Sequence, residues 1–325
     1  MPTLVSQVFN AKFEPYEFLD ARAITAEQTE SALTDAKTQV MEKLHQVAFR
    51  TGLGNTIFAS NESLNSLKRT DIGNLLELFT ADRITIVGTE VNHEDLTNLL
   101  EKVFVDVELP SGKASYIKSK FSTGEARIEA GPTCEAHYAI AFPGAAYSTS
   151  GDFAAAQVLA SILGGERKVT HGSSSGLLAA CAAPGCKATA HSLSYSDAGL
   201  LVLYMEGDGS SVKDVATKSI AILKNIAKNG VSPEILGAGK KAAQIDFESQ
   251  ASRNGRLQNF IKTPSVSETQ NVISISSITA EQIKNVIFFI ILASSSCRRF
   301  KAKCRSIREL TTASICGGTL RGFNG

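Results

Sequence analysis

One short pattern occurs twice in this chain and limits what it can fold into. Leu67-x-x-x-Asp71-Ile72-x-Asn74-Leu75 is echoed by Ile278-x-x-x-Gln282-Ile283-x-Asn285-Val286, at a constant offset of 211 residues. In a chain of 325 residues, such an echo predicts two domains of common ancestry. The first copy leads through Phe79-Thr-Ala-Asp-Arg83 into the β-branched stretch IleThrIleValGly. The second runs instead into IlePhePheIleIleLeuAla and a serine cluster. There the composition shifts. From Ser294 onward seven basic residues face one acid, a net of +6, which leaves −5 for the rest of a chain whose total is +1. Cys297, Cys304 and Cys316, half of the six cysteines, fall in the same stretch.

Composition excludes several classes. With 43% hydrophobic and 20% charged residues, wholesale disorder is ruled out. A net charge of +1 argues against binding to nucleic acid through bulk charge. No apolar run approaches the ~20 residues of a membrane-spanning helix, the longest being Val286–Ala293. Six cysteines are too sparse for a disulfide scaffold. The N-terminal residues show neither a secretory signal nor an Arg-rich transit pattern.

Periodicity predicts an α+β fold. A helix runs from Thr25 to Phe49 and ends at Thr51-Gly-Leu-Gly-Asn55. Thr70 and Asp71 open a second, residues 83–88 read as a strand, and Asn92 or Asp95 to Phe104 as an amphipathic helix. A polar linker spans Pro110 to Gly124. Strands follow at Ala126–Ala130 and His137–Phe142, a helix at Asp152–Leu163, and a Gly/Ser-rich loop from Gly164 to Gly176. Further strands fit Ala188–Tyr195 and Gly199–Glu206. Helices fit Val212–Ala227 and Ser232–Glu248, with Pro233 at the first helical position.

No catalytic constellation survives inspection. Gly172-Ser173-Ser174-Ser175-Gly176 matches the nucleophile-elbow pattern, but polar residues precede it and no histidine follows His191 to complete a Ser, acid, His order. His171, Cys181, Cys186 and His191 are zinc-competent, yet too loosely spaced for a structural site, and the cysteines read better as small apolar residues. His93-Glu94 begins H-E-x-x-H, but position 97 is Thr. Gly52-Leu-Gly54 lacks the third glycine of a dinucleotide loop and follows a helix. The basic run from Arg298 to Arg308 reads as a solvated tail. Asn61-Glu-Ser63 is a formal glycosylation sequon without a secretory context. No catalytic, cofactor-binding or metal-ligating residue is therefore assigned.

The pattern as a whole resembles the pitrilysin-type metallopeptidase fold, in the form taken by the core 2 family of the mitochondrial ubiquinol–cytochrome c reductase. LeuHisGlnValAlaPheArgThrGlyLeuGlyAsn (residues 44–55) carries the likeness, with LysPheGluPro (12–15) in register. SerLeuSerTyrSerAspAlaGlyLeuLeu (192–201) carries it further, its TyrSerAspAlaGly favouring core 2 over the peptidase relatives. The resemblance covers about Val5 to Asn285. It implies tandem α/β domains of the pitrilysin/processing-peptidase type around a cavity, the first incomplete. The zinc-binding H-x-x-E-H of active members is absent, which implies a non-catalytic scaffold subunit without cofactors. Its implied partners are a homologous core 1 subunit and the membrane subunits of the complex, on the matrix side of the mitochondrial inner membrane. The alternative it implies is the substrate-binding subunit of a processing peptidase, acting through the loop 164–176.

The expected organisation is a remnant of the first peptidase-like domain over 1–109, a linker over 110–125, a second such domain over 126–293 and a disordered basic tail over 294–325. The chain is expected to begin near the middle of the family's first domain and to depart from the family after Asn285, as truncation, frameshift or intron read-through would produce. The run Val286–Leu292 is expected to pack as an edge strand.

Overall fold

The computed structural model describes residues 2–9, 11–84, 91–105, 117–130, 135–147, 150–164, 176–181, 185–250, 275–295 and 311–317, with a few single positions between 86 and 110. It divides into two compact units. One comprises Met1–Thr34 and Ile57–Ile117, the other Asp35–Thr56 and Lys118–Gly325.

The first unit is helical among its described residues: α1 (Pro2–Phe9), α2 (Pro15–Thr34), α4 (Asn61–Ser66), α5 (Arg69–Leu76) and α6 (His93–Phe104). Phe9 packs edge-on against Phe79 and Phe104, with ring centroids 6.3 and 6.0 Å apart. The amphipathic α6 begins as its sequence dictates, Asn92 accepting the Glu94 amide at 2.9 Å. Alternate positions of the expected strand 83–88 lie outside the described residues; Arg83 closes a 3-10 turn.

The second unit is built on a five-stranded sheet in the order β1-β5-β2-β4-β3. Its strands are β1 (Glu125–Ala130), β2 (Ala136–Pro143), β3 (Lys187–Ser194), β4 (Gly199–Gly207) and β5 (Thr311–Gly317). β4 lies antiparallel between β2 and β3, and β5 runs parallel to β1 and antiparallel to β2. Both faces are covered. On one lie α7 (Ser150–Leu163), α8 (Gly209–Asn229), α9 (Pro233–Gln250) and α10 (Ala280–Ser295), over a core that includes Ile140, Phe142, Leu201, Leu203 and Met205. On the other lies α3 (Ala36–Phe49), whose Val40, Leu44, Ala48 and Phe49 meet Ala139, Ala141, Leu200, Val202 and Tyr204. Because side chains alternate along a strand, a strand buried on both faces must be apolar throughout. The run LeuLeuValLeuTyrMet of β4 meets that demand.

Three expectations are corrected. The single helix expected over Thr25–Phe49 is two, because Asp35 leaves helical geometry and caps α3, its carboxylate accepting the Thr38 amide at 2.9 Å. The run Val286–Leu292 belongs to α10, not to an edge strand, since Ile283 and Ile287, one turn apart, are both buried in the helical-face core. Nor does all of 294–325 stand outside the fold. Thr311–Gly317 fills the place between β1 and β2, whereas 296–310, with Arg298 to Arg308, lie outside the described residues.

The echo coincides with helix starts, α5 beginning at Arg69 and α10 at Ala280, 211 residues apart. Equivalent side chains reach back to the capping amide in each: Asp71 accepts from the Lys68 amide at 2.8 Å, and Gln282 from the Thr279 amide at 2.8 Å. This is half of a capping box, so the repeated motif encodes how the helix begins. Leu44 is fully buried under α3; Leu44→Ala is expected to cost about 3 kcal/mol, read as a lower midpoint in chemical denaturation.

Candidate functional site

Of the resemblance-bearing segments, residues 44–55 and 192–201 meet in the second unit, around the turn between β3 and β4, whereas 12–15 belong to the first. Tyr195 and Ala198 close the turn through the Tyr195 amide and Ala198 carbonyl, 2.8 Å apart. The chain leaving β2 lies over it, Tyr147 donating its amide to the Tyr195 carbonyl at 2.9 Å and Gly144 to the Gly199 carbonyl at 2.8 Å. At Gly199 a Cβ would run into the Ala145 carbonyl, so the glycine allows this close approach.

Tyr195 reaches α3. Its hydroxyl lies 2.6 Å from His45 Nε2, while His45 Nδ1 lies 2.7 Å from the Met41 carbonyl. A carbonyl can only accept, so Nδ1 carries a hydrogen, and in the neutral ring Nε2 accepts from the tyrosine. Both rings pack against Phe49, and the His45 and Tyr195 rings meet edge-on at 5.8 Å. Burial first, then the neighbouring Tyr147, pushes the Tyr195 hydroxyl above its ordinary pKa, which keeps it a donor.

Asp197 holds the segment entering β1. Its carboxylate accepts the Ser119 amide at 2.7 Å. Burial pushes the group up, but hydrogen bonds from the Ser119 amide and hydroxyl outweigh this and hold it below the usual carboxylate value. Ser122 then closes the C-terminal end of α3, its amide donating to the Ala48 carbonyl at 2.6 Å and its hydroxyl to the Val47 carbonyl at 2.9 Å.

A second His–Tyr pair joins β2 to β4, and Lys37, near the start of α3, sits over its tyrosine ring. His137 Nδ1 lies 2.7 Å from the Tyr204 hydroxyl, and the Lys37 ammonium sits 5.3 Å from the Tyr204 ring centroid, a cation–π arrangement. Burial first, then the charges of Glu206 and Asp35, push the Tyr204 hydroxyl far above the ordinary phenol range. Sequence inspection passed over His137, Tyr204 and Lys37. No spacing joins positions 37, 137 and 204; the one available signal was a tyrosine inside an otherwise aliphatic strand.

The other sequence candidates do not converge. Cys181 and Cys186 are buried in the helical-face core. His191 lies on β3 between Thr189 and Leu193, and Leu193 packs on the α3 side, so alternation puts the sheet between His191 and the cysteines. Among the described residues no three His, Cys, Asp or Glu side chains are grouped to hold a metal ion. His93 is exposed at the first position of α6, Asn61 is exposed at the start of α4, and Gly52–Gly54 form a 3-10 turn after α3. His171 and Ser174 lie outside the described residues. Gly164 and Gly176, which bound that loop, lie against each other, so it leaves and returns at one point. No helix among the described residues is long and apolar enough to cross a membrane.

The profile of a family described as the Peptidase M16 inactive domain matches residues 76–243, half of the chain. The chain belongs to that family. Similar curated proteins include the mitochondrial cytochrome b-c1 complex subunit 2 of Neurospora crassa, 28% identical over 258 residues, covering 78% of this chain and 56% of that protein. The Cryptococcus neoformans subunit 2 is 29% identical, covering 86% of this chain and 65% of its own length. The mitochondrial-processing peptidase subunit beta of Blastocladiella emersonii is also 29% identical, over 61% and 44%. The chain thus spans roughly half to two thirds of these relatives. A chain of the Candida albicans complex III2 structure with Inz-5 bound shares the fold, with a TM-score of 0.72 at 17% identity, covering 90% of this chain and 70% of that one. The expected α+β, pitrilysin-type architecture is thereby established for this M16-family chain.

Two outcomes check the site. Tyr195→Phe leaves His45 Nε2 without its partner and is expected to cost about 1–2 kcal/mol, while Gly199→Ala, which sets a Cβ against backbone, costs more; denaturation midpoints rank them. Asp35 is held below its ordinary pKa, first by the Thr38 hydroxyl and then by the Thr38 amide. A depressed folded-state pKa adds stability that is full above the unfolded value of about 3.9 and is lost as pH falls through the folded value. Asp35→Asn is expected to remove that part of the acid sensitivity, seen by comparing melting curves at pH 6 and pH 3.

Proposed function

We propose that this chain serves as a non-catalytic core subunit of the mitochondrial ubiquinol–cytochrome c reductase. Membership in the M16 inactive-domain family, with subunit 2 proteins of that complex recurring among its relatives, carries the reading. The geometry supports it, because each member of the TyrSerAspAlaGly motif with a described role holds one segment of the chain against another. In this reading the chain sits on the matrix side of the inner membrane and contacts a homologous core 1 subunit and membrane-embedded subunits. In it, residues 1–34 and 57–109 make up part of a first peptidase-like domain, 110–125 a linker, and 126–293 a second domain that 35–56 and 311–317 complete.

The test is purification from mitochondria in mild detergent. The chain is expected to co-migrate with cytochrome b, and recovery only as a free soluble pool would overturn the assignment. The second reading, a substrate-binding subunit of a processing peptidase, draws on the likeness to the Blastocladiella subunit and on the loop pinched between Gly164 and Gly176. Presequence cleavage that depends on adding this chain to a catalytic partner would favour it; no dependence is expected.

A further inference from the structure

β1 and β2 are consecutive strands, separated only by residues 131–135, and they run antiparallel to each other, yet β5 lies between them. Strands joined by so short a connection ordinarily pair directly as a hairpin. Here they stand two strand spacings apart, about 9.5 Å, and among the described residues β1 borders no strand of the sheet other than β5.

Contacts that do not involve β5 hold the frame of this slot. Ser119 and Ser122 tie the segment entering β1 to Asp197 and to the end of α3. The His45–Tyr195 bond fastens α3 to the β3–β4 turn, and β4 pairs with β2 along its length. α3 packs against β1, β2 and β5, roofing the slot. The occupant follows α10 only after residues 296–310, a connection able to span about 50 Å when extended.

We propose that the gap between β1 and β2 is a strand-acceptor site, and that residues 311–317 of a second copy of this chain enter it in trans. Any occupant must pair parallel to β1 from Glu125 to Ala130 and antiparallel to β2 from His137 to Ala141, and this segment does both. Exchange between copies replaces like with like, so the pairing energy cancels and the balance is set by the effective concentration of the tethered strand, about 1 mM. Each copy also brings Arg298, Arg299, Lys301, Lys303, Arg305 and Arg308 on its connector. Repulsion between the two sets opposes exchange at low salt and is screened at high salt.

Light scattering on the full chain over a concentration series is expected to show a dimer that approaches half occupancy near ~1 mM and increases with salt. Ile315→Pro, opposite Ile128 and His137, removes an amide from the middle of the donor strand and is expected to abolish the dimer. The same variant is expected to bind a fluorescent peptide of residues 309–319 at least about tenfold more tightly than the unaltered chain does, because its own strand no longer competes. A monomer at every concentration overturns the proposal. So does peptide binding without a dimer, which would assign the slot to a strand from another protein. Should Ile315→Pro fail to fold, hydrogen exchange on the unaltered chain decides the matter. β1 amides are expected to exchange at least about tenfold faster than those of β4, and exchange only with global unfolding would show that β5 does not leave.

Discussion

A sheet buried on both faces needs a cover on each, and in the second unit one of those covers is α3. The helix comes from residues 36–49, far upstream of every strand it covers. Its apolar stripe gives it reason to dock, each large side chain contributing about 1.5–3 kcal/mol on burial. Hydrophobic burial is non-directional, however, and does not by itself fix the helix over one part of the sheet. The His45–Tyr195 bond toward one end of the helix and Lys37 over the Tyr204 ring toward the other supply direction, with Asp35 and Ser122 satisfying its terminal backbone groups. The place of β1, and the slot for β5, follow from that anchoring.

This gives physical content to the segment on which the family resemblance is read. In TyrSerAspAlaGly the tyrosine holds a helix, the aspartate holds the entry to a strand, and the glycine admits a neighbouring backbone. The motif is a fastening for an M16-type sheet. The first unit contrasts with this. Among its described residues it has helices without a sheet, and Leu75, Leu78, Leu99 and Val105 stay exposed.

The errors of sequence reading share one cause. Val286–Leu292 is apolar at every position, and such a run fits a buried helix as well as a strand; the surrounding helices decided for the helix. Thr311–Gly317 sits in a basic, cysteine-rich stretch, so its composition pointed away from a core, although its small and β-branched residues suit a strand. Pairing on two edges outweighed composition. The Asp35 break was legible, since an aspartate three residues before Thr38 is a fair cap, but continuous helical periodicity on both sides masked it.

The sequence by itself determined the types of β1 to β4 and of α7, α8 and α9, the helix starts marked by Asn92, Pro233 and Asp71, and membership in the pitrilysin-type fold. These depend on neighbours within a turn or two, where side-chain period and capping chemistry act directly. Only the tertiary structure decided that His45 meets Tyr195, that His137 and Lys37 gather at Tyr204, that the sheet divides His191 from Cys181 and Cys186, and that β5 separates β1 from β2. Such contacts join residues from 67 to more than 150 positions apart or on opposite faces of a strand. Geometry selects them among many equally compatible pairs, and a linear pattern carries no term for that choice.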